Sequence, residues 1–464
     1  MILSTNKPTQ SGKSLHQGLP LPHMGLDETK LGQLAGHHHS WLHNLRHQAF
    51  ITAQKKGLPH PKDEKWRYTN FNKLSQAHFS DQSAHNLLPL FSLGHHPLLT
   101  ELHTAHLLMM VNGQYRPDLS SKNDVPSGLF IQSLTDVLAT SKEQVPTIQN
   151  LGIASKANGL SFLNLALLNQ GLIINVAANT LIEPILHLVH YITDQDVACP
   201  IYHHITVQDH ADLTIVETYI RETNNKFSSW SLPSLNIKLG KNSKLRHYKY
   251  HEEHELSFHT AETNVVLDSK ANYENFYVTY GTVLNRHHLS IFMQGDHSQC
   301  QLNGLYILND KNHTDIYTEI NHQAYATTSK QSYKGILDDY SHGIFQGNII
   351  MEKEAVKGNG QQLNKTLTLS PHAQSSSKPG LEIYVDDVQC SHGTTSGQIR
   401  EDELFYLRSR GLDPDTAQRL VIGGFIEESL NDITHAKVKD AFSFAIHHPL
   451  EKGKMYDNGL TSRK

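Results

Sequence analysis

Cysteine is scarce in this chain of 464 residues, and long hydrophobic runs are missing. The three cysteines, Cys199, Cys300 and Cys390, lie far apart, which argues against a disulfide framework and predicts a reducing compartment. The first 20 residues hold no apolar run long enough for a signal peptide. The most apolar window, residues 163–192, is interrupted by asparagine, glutamine, glutamate and proline, so we expect no membrane span there.

An excess of charge of either sign is also missing. The chain has 40 Lys and Arg against 45 Asp and Glu, a formal net charge of −5, so nothing in the composition favours binding to nucleic acid or to an anionic membrane. Histidine, by contrast, is abundant with 34 copies, and the net charge should therefore depend strongly on pH. The composition predicts a soluble cytoplasmic protein with either several domains or one repeat body with end pieces.

The pattern of residues divides the chain into three parts. Residues 1–155 begin with a polar stretch, interpreted as a flexible arm, and continue as a small helical and mixed domain. Residues 156–395 show short apolar strands bounded by polar turns about every 27–31 residues. That period indicates a solenoid, and the lack of intervening helices favours a parallel β-helix, although the pattern alone also fits a β-sandwich. Residues 396–464 are predicted to be helical.

Local signals place individual elements within these parts. Apolar residues at helical spacing predict a helix over residues 41–56, which Gly57 ends. Near the other end of the chain, Gly411 is interpreted as the C-cap of one helix and Pro414 as the first residue of the next. The strands predicted between them include residues 213–217, 235–239, 265–267, 289–292, 305–308, 367–369 and 381–385.

Two motifs near the N-terminus resemble known sites but are incomplete. Residues 11–14 read Ser-Gly-Lys-Ser, the end of a phosphate-binding loop, but Lys7 stands where that loop requires glycine. His39, His43 and His47 would share one face of the predicted helix, as zinc ligands do. No carboxylate or cysteine is suitably placed in the sequence to complete the site, so we favour a solvated helix face.

Three further patterns in the central part are also weak. His251 and His254 enclose two glutamates but are one residue too close for the helical metalloprotease motif, so protease activity is rejected. His297 and Cys300 form a poor metal pattern, and Cys199 is predicted to be a small buried side chain.

Two carboxylate pairs offer a different chemistry. Asp338 with Asp339, and Asp386 with Asp387, could perform acid–base catalysis on a polysaccharide, which makes a carbohydrate-active β-helix enzyme one alternative function. We favour a role for these aspartates as turn residues at the corners of the solenoid.

The most informative segment is the alternating run that starts at Leu381 and ends in Cys390-Ser-His392. Residues two positions apart on a strand point to the same face, and both thiolate and imidazole are good ligands for iron. Two ligands are too few for a stable site, so the others would come from another chain or from the sulfides of a cluster. The pattern alone leaves a purely structural role for this pair equally open.

The sequence that contains this segment resembles the SufB/SufD family, whose members are scaffold subunits of the SUF system for iron–sulfur cluster assembly. The resemblance covers most of residues 40–445 and is most specific over 333–430. The segments that carry it are residues 333–337, 343–347, 362–367, 378–384, 386–393 and 404–411, with weaker matches at 66–70, 184–185 and 188–190.

Within the family, the chain resembles the SufD type. Asn364 stands where the SufB type carries the cysteine thought to receive sulfur, whereas the Cys-Ser-His-Gly sequence at 390–393 and the helix after it are similar to SufD. His392 matches the SufD histidine proposed to lie opposite the SufB cysteine, and Cys390 matches a neighbouring family cysteine.

The resemblance implies a mainly β fold, a right-handed parallel β-helix with a small N-terminal α/β region and C-terminal α-helices. It implies a non-catalytic scaffold that pairs with SufB through β-helix edges, binds the ATPase SufC through its C-terminal helices, and holds a nascent iron–sulfur cluster transiently at His392 and Cys390. A flavin is possible in that complex but has no support in the sequence. The isolated chain could also form a homodimer. Besides the scaffold and the carbohydrate-active enzyme, a purely structural solenoid that binds a partner is the third possible function. The residues expected to dock SufC are Phe405, Tyr406, Arg408, Arg410, Gly411 and Phe425.

Overall fold

The structure is a computed structural model that describes residues 18–79, 96–122, 125–140, 158–193, 196–221, 228–253 and 255–451, without the side chains of 448–451. It confirms the predicted fold class, because a parallel β-helix forms the centre and helices lie towards both ends. The alternative of a β-sandwich is therefore wrong.

The helices, in chain order, are α1 (Glu28–Leu31), α2 (Ser40–Lys56), α3 (Asn72–Ser75), α4 (Pro97–Glu101), α5 (Leu134–Thr140), α6 (Gly159–Ala166), α7 (Glu401–Ser409), α8 (Pro414–Leu430) and α9 (Ala436–Glu451), with a 3-10 turn at Glu64–Trp66. The predicted helix over residues 41–56 corresponds to α2, and Gly57 ends it with a φ of +65°. Gly411 follows α7 with a φ of +91°, and Pro414 opens α8 behind an Asp413 side chain that accepts from the Thr416 backbone N–H at 2.9 Å.

The strands, in chain order, are β1 (His106–Val111), β2 (Gln114–Tyr115), β3 (Leu129–Ser133), β4 (Leu172–Val176), β5 (Leu186–Ile192), β6 (Val197–Val207), β7 (Asp212–Arg221), β8 (Ser229–Leu239), β9 (Lys244–Glu252), β10 (Phe258–Leu267), β11 (Asn272–Thr279), β12 (Leu284–Met293), β13 (Gln299–Leu308), β14 (His313–His322), β15 (Thr328–Leu337), β16 (His342–Met351), β17 (Asn359–Thr368), β18 (Gln374–Ile383) and β19 (Gln389–Gly397). Each strand predicted from the sequence lies within or overlaps one of these, and most are longer than predicted.

Two sheets share these strands in strict alternation. From β4 onward, even-numbered strands build one sheet and odd-numbered strands the other, and each strand pairs in parallel with the strand two places along the chain. The chain therefore crosses between the sheets at every corner and completes one coil with every two strands. β1 and β3, from the N-terminal region, extend the two sheets at their first ends.

A stack of left-handed residues forms one corner of the β-helix. The N–H of His210 donates to the Lys241 carbonyl at 2.8 Å, and that of Lys357 donates to the Asp387 carbonyl at 2.7 Å, so each turn bonds to the turn of the next coil. This repeated turn accounts for the period read from the sequence. Its residues with positive φ, spaced 27 to 32 positions apart, are Asn179, His210, Asn242, Lys270, His297, Ala326 and Lys357.

The N-terminal region packs on the outer face of the even-numbered sheet. The guanidinium of Arg286 lies 4.5 Å from the centroid of the Trp66 ring, donates to the Lys65 carbonyl at 2.9 Å and pairs with Asp315. Within the stretch predicted as an arm, residues 18–35 pack against this region, whereas residues 1–17 lie outside the described part of the chain.

The C-terminal helices pack on the outer face of the odd-numbered sheet. Phe442 of α9 contacts Tyr250 edge-on at 5.6 Å between ring centroids, and α9 also packs against α4. The turn before α9 is anchored where the Thr434 backbone N–H donates to Glu274 at 3.0 Å. These contacts hold α8 and α9 against the middle coils.

Candidate functional site

The last coil of the β-helix is open. β18 and β19 end the two sheets, and each pairs with a strand of the preceding coil only, among the strands that the structure describes. Their outer edges therefore present backbone N–H and C=O groups that no further strand takes up, an arrangement that favours pairing with another chain.

His392 and Cys390 both lie on β19, at alternate positions. In the parallel register Cys390 pairs with Gly360 and His392 with Gln362, and both β17 residues are buried on the inward side. The two β19 side chains continue this inward-facing row, but His392 is exposed because no coil covers it. The His392 side chain has no hydrogen bond or ion pair within the described residues, so its imidazole is available at the open end of the β-helix.

Cys390 is half-buried where His392 is exposed. Its thiol packs against a small apolar cluster of Ile349, Met351 and Ala355 beneath the last coil. Burial raises the pKa of this thiol above its ordinary value, and a hydrogen bond from the Gly360 backbone only partly offsets the effect. The thiolate is the form that binds metals. A metal ion that binds Cys390 must therefore displace the thiol proton or first disrupt this packing.

Asn364 lies on β17, the strand that pairs with β19 of the open coil. Its side chain is buried, accepts a hydrogen bond from the Tyr306 hydroxyl at 3.1 Å and donates to the Ser377 hydroxyl at 3.3 Å. This amide is therefore part of the hydrogen-bonded interior, and it offers no thiol to a sulfur donor.

The helix α7 and the two residues that follow it carry five of the six residues predicted to bind SufC. None of its side chains is buried, and Phe405 and Tyr406 are 73% and 57% exposed. The Arg410 guanidinium lies 5.2 Å from the centroid of the Tyr406 ring, and Arg408 and Gly411 are also exposed. Together these residues form an aromatic and cationic surface on the outside of the molecule.

Phe425, grouped with them by the sequence, has a different setting. It is half-buried on α8 against the odd-numbered sheet, with the Lys334 ammonium 5.0 Å from its ring centroid. Lys334 also pairs with Glu428 at 2.9 Å, which lies on the same helix. These contacts attach α8 to the β-helix, so Phe425 is not part of the exposed surface on α7.

The weaker metal patterns do not assemble as the sequence arranged them. His297 is exposed at a corner while Cys300 is buried in the lumen, so the two do not face each other. His43 and His47 stack with ring centroids 6.3 Å apart, and His47 contacts Glu28 at 3.2 Å, a carboxylate that the sequence did not place there.

The carboxylate pairs serve as turn residues. Asp338 accepts from the backbone N–H of Asp339 at 2.8 Å, and Asp339 accepts from that of Asp310 at 3.0 Å. At another corner, Asp387 pairs with Lys357 at 2.9 Å. These interactions agree with the turn role favoured from the sequence.

Two sequence motifs lie partly or wholly beyond the described residues, namely residues 11–14 and His254. His251 is described, and the structure brings it to Glu253 and His259 inside the lumen. His259 was not predicted, because the metalloprotease motif to which His251 was compared has a helical spacing. No strand was predicted where β9 lies, so the sequence held no signal for the corner that brings His251 and His259 together.

No helix in the described ranges combines the length and the apolar character needed to cross a lipid bilayer.

Family models match almost the whole described chain. A model described as the SufBD core domain of the SUF system for FeS cluster assembly matches residues 190–425, and one described as the N-terminal region of SufBD proteins matches residues 24–188. The chain therefore belongs to the SufB/SufD family of the iron–sulfur cluster assembly system, as the sequence motifs indicated.

Individual relatives include proteins named SufD. The chain is 32% identical to an iron–sulfur cluster assembly SufBD family protein of Synechocystis, over 88% of this chain and 90% of the relative. It is 28% identical to SufD of Escherichia coli, over 81% and 85%, and 26% identical to SufD of Bacillus subtilis, over 86% and 92%. These relatives confirm the predicted likeness to SufD.

The three thiols should differ sharply in reactivity. Cys199 and Cys300 are buried, and only half-buried Cys390 should react with a disulfide reagent in the native protein, whereas all three should react after unfolding. Because burial raises the Cys390 pKa, the rate should still increase with pH above about 8.5, the ordinary value for cysteine. Cys390→Ser should abolish the native reaction, and equal native reactivity of all three thiols would contradict this assignment.

Proposed function

We propose that this protein is a non-catalytic SufD-type scaffold that pairs with SufB, is coupled to the ATPase SufC, and helps to hold a nascent iron–sulfur cluster. The observation that carries the proposal is an exposed imidazole, His392, beside an unpaired strand edge. A binding residue at such an edge becomes part of any junction that the edge forms with a second chain.

The open coil is the surface proposed for SufB. A second β-helix can continue both sheets by backbone pairing along β18 and β19, which is the physical basis of strand addition. Next to the edge, Ile383 and Tyr384 are 45% and 56% exposed and supply apolar area to such a junction.

The chemistry at this junction requires both chains. Imidazole nitrogen and cysteine sulfur both bind iron, and His392 and Cys390 offer one of each on the same inward-facing row. A cluster needs more ligands than these two, so SufB and the cluster's own sulfides would complete it. With Asn364 committed to the hydrogen-bonded interior, sulfur would be accepted by the partner.

The exposed face of α7 is the surface proposed for SufC. Aromatic residues and arginine are enriched at the centres of protein interfaces, and α7 presents Phe405, Tyr406 and Arg410 together. Since α8 is fixed to the β-helix through Phe425 and Lys334, a force applied at α7 would be passed to the coils.

Replacing His392 tests the cluster site. His392→Ala should change the free energy of unfolding by less than about 0.5 kcal/mol, because the side chain is exposed. The iron and acid-labile sulfide assembled by the reconstituted complex should fall about tenfold or more. His392→Cys should restore part of the loss, and His43→Ala, on the exposed face of α2, is the matched control. Wild-type assembly by His392→Ala would reject the site.

A proline at the edge tests pairing with SufB. The Gln389 N–H donates to Gly358 at 2.9 Å, and successive N–H groups alternate in direction, so the Thr394 N–H points away from β17. Thr394→Pro should therefore preserve the fold but lower the affinity for SufB about tenfold in a titration. Thr395→Pro, which removes a bond to β17, should instead lower the melting temperature. Unchanged SufB binding by Thr394→Pro would contradict the proposed edge.

Polar substitution on α7 tests the SufC surface. Phe405→Ser combined with Tyr406→Ser should weaken SufC binding by at least about tenfold, with little change in melting temperature, because both rings are exposed. Ile51→Ser is the control, since Ile51 is 50% exposed on a different helix, α2. Equal SufC affinity for the wild type and the double variant, measured by calorimetry, would exclude this face.

A further inference from the structure

A second group of metal-binding side chains lies inside the β-helix, far along the sheets from the open coil. His251 is near the end of β9, Glu253 lies in the following corner, and His259 is near the start of β10. Their side chains are 0%, 1% and 0% exposed. The cluster thus joins the two sheets at one corner, in the sealed interior.

The spacing of the three side chains fits a metal ion. The Oε2 atom of Glu253 lies 3.1 Å from Nε2 of His251 and 3.3 Å from Nδ1 of His259. Ligand atoms placed 2.0–2.1 Å from a tetrahedral Zn²⁺ lie about 3.3 Å from one another. One ligand atom from each of the three residues lies within 4.8 Å of the other two, which is close enough for all three to bind a single ion.

Neighbouring groups orient two of the three ligands. The second ring nitrogen of His251, Nδ1, lies 2.8 Å from the Thr279 hydroxyl, and the Ser231 hydroxyl donates to the other carboxylate oxygen of Glu253. Such contacts hold the ring and the carboxylate in a fixed orientation, as the outer partners of metal ligands do. The remaining nitrogen of His259, Nε2, is buried with no hydrogen-bond partner in the described part of the chain.

The charges around the cluster do not exclude a cation. The Lys249 ammonium lies 4.5 Å from the centroid of the Tyr219 ring and interacts with two buried carboxylates, those of Glu217 and of Glu253. Arg221 also interacts with the Glu253 carboxylate, and its Nη1 atom lies 3.5 Å from the Ser257 hydroxyl. The His259 side chain is fully buried, and its Nδ1 atom faces the Glu253 carboxylate.

We infer that His251, Glu253 and His259 form a structural site for one divalent first-row metal ion, Zn²⁺ or Fe²⁺. Two imidazoles and one carboxylate suit both ions. The ion would bridge β9 and β10 across their corner and so stabilise the coil that contains them. The site is independent of the proposed cluster site at His392, which lies on the last strand of the sheet.

Metal content tests the inference directly. The full-length protein should be produced with Zn²⁺ in one preparation and, under anaerobic conditions, with Fe²⁺ in another. A brief treatment with a chelator removes metal bound to surface histidines. The remaining metal is then measured by inductively coupled plasma mass spectrometry. About one chelator-resistant ion per chain is expected. The preparation that retains it, the one with Zn²⁺ or the one with Fe²⁺, identifies the ion. Glu253→Gln, which keeps the shape of the side chain, should lower retention at least about tenfold.

The control variant carries His43→Gln and His47→Gln on the surface of α2 and should retain the ion. Retention by Glu253→Gln equal to that of the wild type, or loss of the ion from the surface variant, would overturn the site. The same holds if the wild type retains no ion in either preparation, because the three residues would then form only a hydrogen-bonded cluster.

Cobalt gives a readout that does not depend on a folded variant. Wild-type protein produced with Co²⁺ should show the visible absorption of a nitrogen- and oxygen-ligated centre at one equivalent, and X-ray absorption should detect two imidazoles. The metal-loaded protein should also melt at a higher temperature than metal-free protein. A spectrum of hydrated Co²⁺ with no change in melting temperature would reject the inference even if Glu253→Gln fails to fold.

Discussion

Backbone pairing between successive coils is the constraint on which the rest of the structure depends. Each strand of a parallel β-helix satisfies its N–H and C=O groups only through the coils before and after it. Strands of the interior coils pair on both edges, whereas β19 pairs on one edge only among the described strands. The same fact that leaves β19 with a free edge also leaves His392 exposed on an inward-facing row. The free edge proposed for partner binding and the exposed imidazole proposed as a cluster ligand therefore both follow from the absence of a further coil after β19 among the described residues.

The lumen is divided between apolar and polar contents, and this division determines where chemistry can occur. Leucine, isoleucine and valine fill one part, while a buried set of histidine, glutamate, lysine and tyrosine fills another. Close packing is strict even in the polar part, because a Cβ on Gly335 would lie 2.1 Å from the Tyr306 ring. Tyr306 in turn reaches Asn364 below the open coil. The interior thus changes from a packed core to an accessible site over the last coils.

The sequence predicted the β-helix, the position of α2 and the strand cores because these depend on local periodicity and turn residues. It could not predict that His392 is exposed while Cys390 is half-buried, since this difference depends on which side chains lie beneath the last coil. Phe425 and Phe405 looked alike in the sequence, but only contact with the sheet separates them. His259 joins His251 through the geometry of a corner, which residue spacing alone does not reveal.

The attachment of α9 to both α4 and the middle coils has a consequence for biosynthesis. As the ribosome delivers the chain, each new coil finds the previous one already in place as a template, and folding can advance from the N-terminus. The helix α9, however, docks on strands made much earlier, such as β9, whose Tyr250 lies 192 residues before its contact Phe442. Until α9 has been translated, that aromatic surface of the nascent protein stays uncovered, and during this interval it offers a binding site to a chaperone.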